Sequence, residues 1–167
     1  FFALQLGEEI SRGVEMEVTG KVSSNITLTA NYAFNEVEFN EEDLELIQRL
    51  GNLLNASVSN NPKHTAGFWG KYRFKNKALR NFGLGLGARY VSENKIENDE
   101  LNSATEFINF PSYFTMKQSI FYNNGKVDVT LNVNNVLDER YYIGGIDSGR
   151  VFPGAPRNFL LTLGYKF

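Results

Sequence analysis

Apolar residues recur at every second position along most of this chain. Between Arg12 and Val22, Val14, Met16 and Val18 alternate with Glu15, Glu17 and Thr19. From Ile26 to Phe39, the row Ile26, Leu28, Ala30, Tyr32, Phe34 alternates with Thr27, Thr29, Asn31. His64 to Phe74 sets Phe68, Gly70, Tyr72 and Phe74 against Trp69, Lys71 and Arg73. Asn81 to Ser92 is the cleanest run, with Phe82, Leu84, Leu86, Ala88 and Tyr90 against Gly83, Gly85, Gly87 and Arg89. Pro111 to Tyr122 repeats the pattern around Phe114, Met116, Ile120 and Tyr122, interrupted at Gln118. Val127 to Leu137 repeats it around Val127, Val129, Leu131 and Val133. Arg157 to Phe167 closes the series with Phe159, Leu161, Leu163, Tyr165 and Phe167. A period of two marks a strand with one apolar and one wetter face, so seven antiparallel strands are predicted. Residues 1–10 read as the tail of a loop. A chain ending on an aromatic row needs something apolar beside it up to the carboxylate, because free termini ordinarily fray into water.

The connections alternate in length. Ser23–Asn25, Lys75–Arg80 and Asn123–Lys126 are short, and Asn124-Gly125 suits a tight hairpin because it takes positive φ at little cost. The connections at 40–62, 93–110 and 141–156 are long. Within the first, Asn40 caps an expected loop helix with acidic residues in its opening turn and an apolar stripe at Leu44, Ile47, Leu50 and Leu54. The acidic run there, with Glu36 and Glu38, matches no calcium-loop spacing. Short turns at one end and long loops at the other is the arrangement of an outer-membrane β-barrel. Aromatics bracket the apolar rows (Phe82 and Tyr90; Phe159 and Tyr165 with Phe167), as girdles do on either side of an apolar band about 25 Å tall.

Composition narrows the choice. Lys plus Arg is 17 and Asp plus Glu 19 among 167 residues, which disfavours a nucleic-acid surface. With no cysteine and one histidine, disulfides, thiolate metal sites and histidine clusters are excluded. No run approaches the roughly 18 to 20 apolar residues of a membrane helix, which does not weigh against a barrel. Glu15, Glu17, Lys71, Arg73, Arg89, Lys117 and Asp128 cannot be packed dry without a large desolvation cost, so their face is expected to line a wet lumen with the apolar face in lipid. Seven strands cannot close, because an open edge in lipid strands backbone groups at several kcal/mol each, roughly. The chain is therefore expected to be the C-terminal part of a larger barrel. A small complete barrel with a structural or adhesion role needs an eighth strand, for which Phe1–Ile10 alternates too poorly. A soluble all-β binding protein is the remaining alternative.

Several short stretches resemble one family. Asn132-Val133-Asn134-Asn135-Val136-Leu137-Asp138-Glu139-Arg140-Tyr141-Tyr142, then Gly154-Ala155-Pro156-Arg157, then Leu163-Gly164-Tyr165-Lys166-Phe167 resemble the closing segment of TonB-dependent outer-membrane receptors of the siderophore type. Ser11-Arg12-Gly13-Val14-Glu15-Met16-Glu17, Asn61-Pro62-Lys63-His64 and Pro111-Ser112-Tyr113 resemble earlier strand openings of that family, in order. Lys117 departs from it, standing where the family commonly has Asp. The resemblance implies that residues 1–167 are the last seven strands of a 22-stranded barrel whose N-terminal plug lies upstream. It implies a non-enzymatic import receptor in a Gram-negative outer membrane. Its transported ligand would be a ferric siderophore or similar chelate, with no resident cofactor or metal. Its partners would be membrane lipid, its own plug, the TonB complex reached through that plug, and the barrel-assembly machinery, but no nucleic acid.

Within that frame, Tyr141, Tyr142, Arg150 and Phe152 offer aromatic faces and a cation to an anionic or hydroxamate chelate; packing of the loop is the plainer account of the same four residues. Asn134, Asn135 and Asp138 read as structural, bonding backbone where a strand leaves the sheet, and Arg157 is expected in the lumen. Leu163, Tyr165 and Phe167 resemble the signal read by the assembly machinery. Gly83-Leu84-Gly85-Leu86-Gly87-Ala88 fits a dinucleotide fingerprint, but no helix follows it, and small residues facing the lumen explain it better. His64 has no visible acid–base partner. Two glycosylation-like triplets, at Asn25 and Asn55, are chance matches.

Overall fold

The computed structural model describes residues 9–39, 60–97, 107–147 and 149–167. Eleven strands follow one another: β1 (Glu9–Ser23), β2 (Ile26–Phe39), β3 (His64–Arg73), β4 (Phe82–Val91), β5 (Asn94–Glu97), β6 (Phe107–Phe110), β7 (Tyr113–Asn123), β8 (Val127–Asn134), β9 (Tyr142–Asp147), β10 (Arg150–Pro153) and β11 (Asn158–Tyr165). Seven of them form one sheet in the order β1-β2-β3-β4-β7-β8-β11, every neighbouring pair antiparallel. These are the seven strands that the alternation predicts, joined up-and-down. The tight turns form as expected. Asn124 accepts the Val127 amide on its Oδ1 at 2.8 Å and Gly125 sits at φ +94°.

Register carries the two faces intact across the sheet. One row runs Met16–Tyr32–Ala66–Tyr90–Phe114, and another Tyr72–Leu84–Ile120–Leu131–Leu161. A one-residue slip at any pairing would have broken these rows, since it moves every side chain to the other face. Aromatics collect at both ends of this apolar face: Tyr32, Phe34, Tyr90 and Phe114 toward the long loops, and Tyr72, Phe82, Tyr122 and Tyr165 toward the short turns. The apolar face is the outward one: Leu84, Leu86 and Leu161 are 39%, 45% and 59% exposed, whereas Gly83, Gly85 and Gly87 between them are buried. Such a face is stable only against lipid or another apolar surface. The charged residues expected to be wet (Glu15, Glu17, Lys71, Arg73, Arg89, Lys117, Asp128) all fall on the opposite rows. Cavities of about 720 and 310 Å³ lie on that side, which is therefore concave.

The structure departs from the sequence expectation in the connections. β1 begins at Glu9, inside what reads as loop. β8 ends at Asn134 rather than Leu137, because Asn135 takes a left-handed φ of 51° and turns the chain. The connection at 93–110 is not merely polar; it holds the β5–β6 hairpin, and the Gly-rich 141–156 holds β9–β10. Both form where tertiary burial is available. Among the described residues the buried hydrophobic side chains are Val91, Ile96 and Phe110, a small core at the long-loop end against which β9 packs, with Tyr142 5.9 Å from Phe110. The loop helix expected from Asn40 lies outside the described residues.

Candidate ligand face at the long-loop end

The loop after β8 is built on two residues. Asn135, 5% exposed, donates from Nδ2 to the carbonyls of Glu139 (2.9 Å) and Ala155 (3.1 Å) and accepts the Glu139 amide on Oδ1 (3.0 Å). It thus ties the start of the loop to its end, 20 residues on. Asp138, also left-handed at φ 56°, accepts the Arg157 amide on Oδ1 at 3.0 Å and the Arg157 guanidinium on Oδ2 at 3.1 Å. That backbone amide, more than the guanidinium, holds the Asp138 carboxyl below its usual range. Asn134 accepts no such strain; its Nδ2 donates to Asn158 Oδ1 across β8 and β11 at 2.7 Å. The structural reading of these three residues is what the geometry shows. Arg157, expected in the lumen, is engaged by Asp138 just before β11.

The four loop residues fall into two groups. Tyr141 stacks on Tyr113 at 4.3 Å between centroids, and Gly154 is glycine because any Cβ there would strike the Tyr141 ring. Tyr142, Arg150 and Phe152 belong to the β9–β10 hairpin. Tyr142 and Phe152 are 47% and 44% exposed, beside exposed Ile143 and Ile146. The hairpin is anchored by a contact with no sequence signal. Asn60, left-handed at φ 60°, donates to the Gly145 carbonyl at 2.8 Å and accepts the Gly145 amide at 3.0 Å. Its own amide reaches the Lys95 carbonyl at 3.0 Å. The ends of three long connections therefore meet at one asparagine. Nearby, the Glu36 carboxylate bonds Lys63 and holds its ammonium above the ordinary range, and His64 shares a 2.8 Å hydrogen bond with Tyr32.

Among the described residues no cluster of histidine, aspartate and glutamate is placed to hold a metal. What the site offers is an apolar and aromatic hairpin at the long-loop end, with Tyr142, Ile143, Ile146 and Phe152 exposed.

Residues 1–136 match the family model described as TonB dependent receptor-like, beta-barrel. The chain belongs to this family. Among the relatives of this receptor barrel are the metal-pseudopaline receptor CntO of Pseudomonas aeruginosa (strain UCBPP-PA14), 31% identical over 94% of this chain, and the ferrichrome outer membrane transporter/phage receptor of Escherichia coli K12, 27% identical over 100% of it. The chain spans 21% of the length of each. The pyoverdine outer membrane receptor FpvA from P. aeruginosa PAO1, solved bound to pyoverdine, superposes with a TM-score of 0.77 at 22% identity, over 96% of this chain and 22% of that one. The barrel strands read from alternation and loop lengths are thus shown by shape, and the receptor family suggested by the motif resemblance is shown by sequence. The family model stops at Val136, one residue past the asparagine that closes the wall.

Proposed function

We propose that this chain is the C-terminal wall of a TonB-dependent receptor in a Gram-negative outer membrane, and that the whole receptor imports a ferric siderophore or a similar metal chelate. The observation that carries the reading is the sheet: seven strands of the family's barrel with one apolar face, whose end strands β1 and β11 each pair on one side only among the described residues. Such a sheet has its backbone satisfied in lipid only when further strands close it. The names of the relatives, which are receptors for ferrichrome, ferrioxamine and metal-pseudopaline, supply the ligand class. The remaining strands, a plug inside them and its contact with the TonB complex belong to the upstream part of the receptor. No catalytic role is assigned to any residue.

In this reading the β9–β10 hairpin presents Tyr142, Phe152 and Arg150 to the chelate, with Tyr141 as the post beneath it. Leu163, Tyr165 and Phe167 form the terminal row recognised during barrel assembly. The deciding experiment is genetic. Cells lacking the whole receptor, grown without free iron, are supplied with the spent medium of siderophore-producing strains. Loss of iron uptake from one such medium, restored by the intact gene, is the expected result; uptake unaffected by the deletion from every medium would refute the import role.

A further inference from the structure

The short-turn end of the sheet carries its own charge pattern. Within five residues of the turns at 24–25, 74–81 and 124–126, or of Tyr165, stand eight lysine or arginine side chains and one acidic side chain, Asp128. Lys21, Lys71, Arg73 and Asp128 lie on the concave rows, and Asp128 accepts the Asn123 Nδ2 at 2.6 Å. The other five, Lys75, Lys77, Arg80, Lys126 and Lys166, lie past the last ladder pairs of their strands and are exposed. Among the described residues none of the five is in a salt bridge. Backbone bonds join these turns into one rim. Asn123 donates its amide to the Asn81 carbonyl at 2.8 Å, and Lys166 donates its own to the Lys126 carbonyl at 2.9 Å. The 74–81 turn is held in shape by Asn76, whose Oδ1 accepts the Leu79 amide at 2.7 Å, and by the Phe82 amide on the Leu79 carbonyl at 2.8 Å. It presents Leu79, 38% exposed, between Lys77 and Arg80. Beside it stand two ring pairs, Tyr72 with Phe74 at 5.1 Å and Phe82 with Tyr122 at 4.9 Å between centroids. Tyr72, Phe82 and Tyr122 belong to the outward apolar rows.

We propose that the 74–81 turn is an anchor for acidic glycerophospholipid headgroups, with Lys75, Lys77 and Arg80 on the phosphates and Leu79 in the acyl boundary. Continuity selects the occupant. The apolar face that runs into this turn is a lipid face, its aromatic girdle marks the headgroup level, and the cations begin where the rings end. Lysine and arginine stems lie along such apolar surface while their heads stay in the polar layer. An apolar side chain set among cations is the pattern of segments that bind a membrane surface. Each cation held at such a surface favours anionic lipid by about fivefold. The leaflet is the one on the short-turn side, which is the periplasmic one in the outer-membrane arrangement. At the long-loop end, by contrast, Lys63 is met by Glu36 and Arg157 by Asp138, so those cations are answered within the chain. The proposal rests on the membrane placement of the sheet and not on what the receptor imports.

The test uses the full-length receptor in phosphatidylcholine bilayers. Two probes are compared at trace level, phosphatidylglycerol and phosphatidylcholine, each carrying the same diazirine near the top of one acyl chain. Cross-linked segments are identified by mass spectrometry. In wild type the glycerol lipid is expected to label residues 74–82 about tenfold more than the choline lipid, and that excess is expected to shrink as salt rises. Lys75→Gln/Lys77→Gln/Arg80→Gln is expected to abolish the excess, and Lys75→Arg/Lys77→Arg, which keeps the charge, to retain it. Equal labelling by the two lipids in wild type, an excess indifferent to salt, or an excess that survives in the glutamine variant overturns the anchor. So does a segment that neither lipid reaches because another part of the receptor covers it. If the glutamine variant does not fold, the salt series in wild type decides. Cellular iron uptake is read in parallel: a wild-type receptor with the lipid preference but no uptake keeps the anchor and loses the import role, and uptake without the preference does the reverse.

Discussion

Asn135 gives a measurable test of how the long-loop end is held. Replacing it with alanine removes three hydrogen bonds, to Glu139 N, Glu139 O and Ala155 O. Both partner residues are exposed, so water recovers part of the loss, and the lower end of the usual range applies: about 0.5 to 1 kcal/mol per bond, or roughly 2 kcal/mol in all. Alanine must also hold φ near 51°, a left-handed conformation that asparagine tolerates and that costs alanine about 1 kcal/mol more. Asn135→Ala should therefore ease opening of this loop by about 3 kcal/mol, and Asn135→Gly, which sheds the strain but not the lost bonds, by about 2 kcal/mol. The assay is native-state hydrogen exchange in the full-length receptor, read at the amides of Gly154 and Arg157, which are bonded to Tyr141 O and Asp138 Oδ1. The β8–β11 ladder serves as internal control. If Asn135→Ala leaves those amides as protected as in wild type, or if glycine is worse than alanine, the account of Asn135 as the clasp of the loop is wrong.

Three further outcomes follow. Leu161→Arg, on the lipid face, should destabilise the folded receptor in urea titrations from liposomes by about 2 to 4 kcal/mol, whereas Thr162→Arg on the opposite row should cost far less; equal costs would mean the faces are assigned the wrong way round. Gly85→Val should lower thermal stability by about 1 to 3 kcal/mol, because the new side chain displaces the Trp69 ring, and Gly85→Val/Trp69→Ala should recover part of that loss. Asp138 has its pKa depressed in the folded chain, so its contribution is present above the unfolded carboxylate range and is lost as pH falls through the lower, folded value. Protease cleavage in the 135–157 loop should accordingly rise below about pH 4 in wild type, and that acid-dependent rise should be absent in Asp138→Asn.

The large sheet was legible because its two determinants are local. Alternation names the face of each residue, and turn length names its neighbour; neither needs knowledge of the rest of the chain. The small hairpins were not legible for the opposite reason. Asn94–Glu97 and Phe107–Phe110 are four residues each, too short to show a period, and they are strands because Ile96 and Phe110 find burial against β9. Asn60 carries no signal at all: its partner is Gly145, 85 residues away, and its left-handed φ is the one local trace it leaves. The four proposed ligand residues share a chemistry that is visible in the sequence, but not a common environment. Sequence could not tell that Tyr141 would be held between Tyr113 and Gly154 while Tyr142 and Phe152 stayed exposed, because that division is made by contacts across the loop.

The glycines of β4 show how a misleading motif can be informative. Gly83, Gly85 and Ala88 have the spacing of a phosphate-binding turn, yet these three, and Gly87 with them, have strand partners on both sides. Glycine weakens a strand interior, so three in alternate positions need a cause. The cause lies on neighbouring strands: Trp69 from β3 and Phe121 from β7 are laid flat over the places where side chains would otherwise stand. A wall built this way is thin, rigid and smooth where a wall of valines would be ridged. Its cost in strand stability is offset by the two rings, each of which buries one face on backbone. The spacing that fails as a nucleotide signature is therefore the sequence trace of the aromatic floor, and that floor holds the two rings that Lys71, Arg73 and Lys117 lie against.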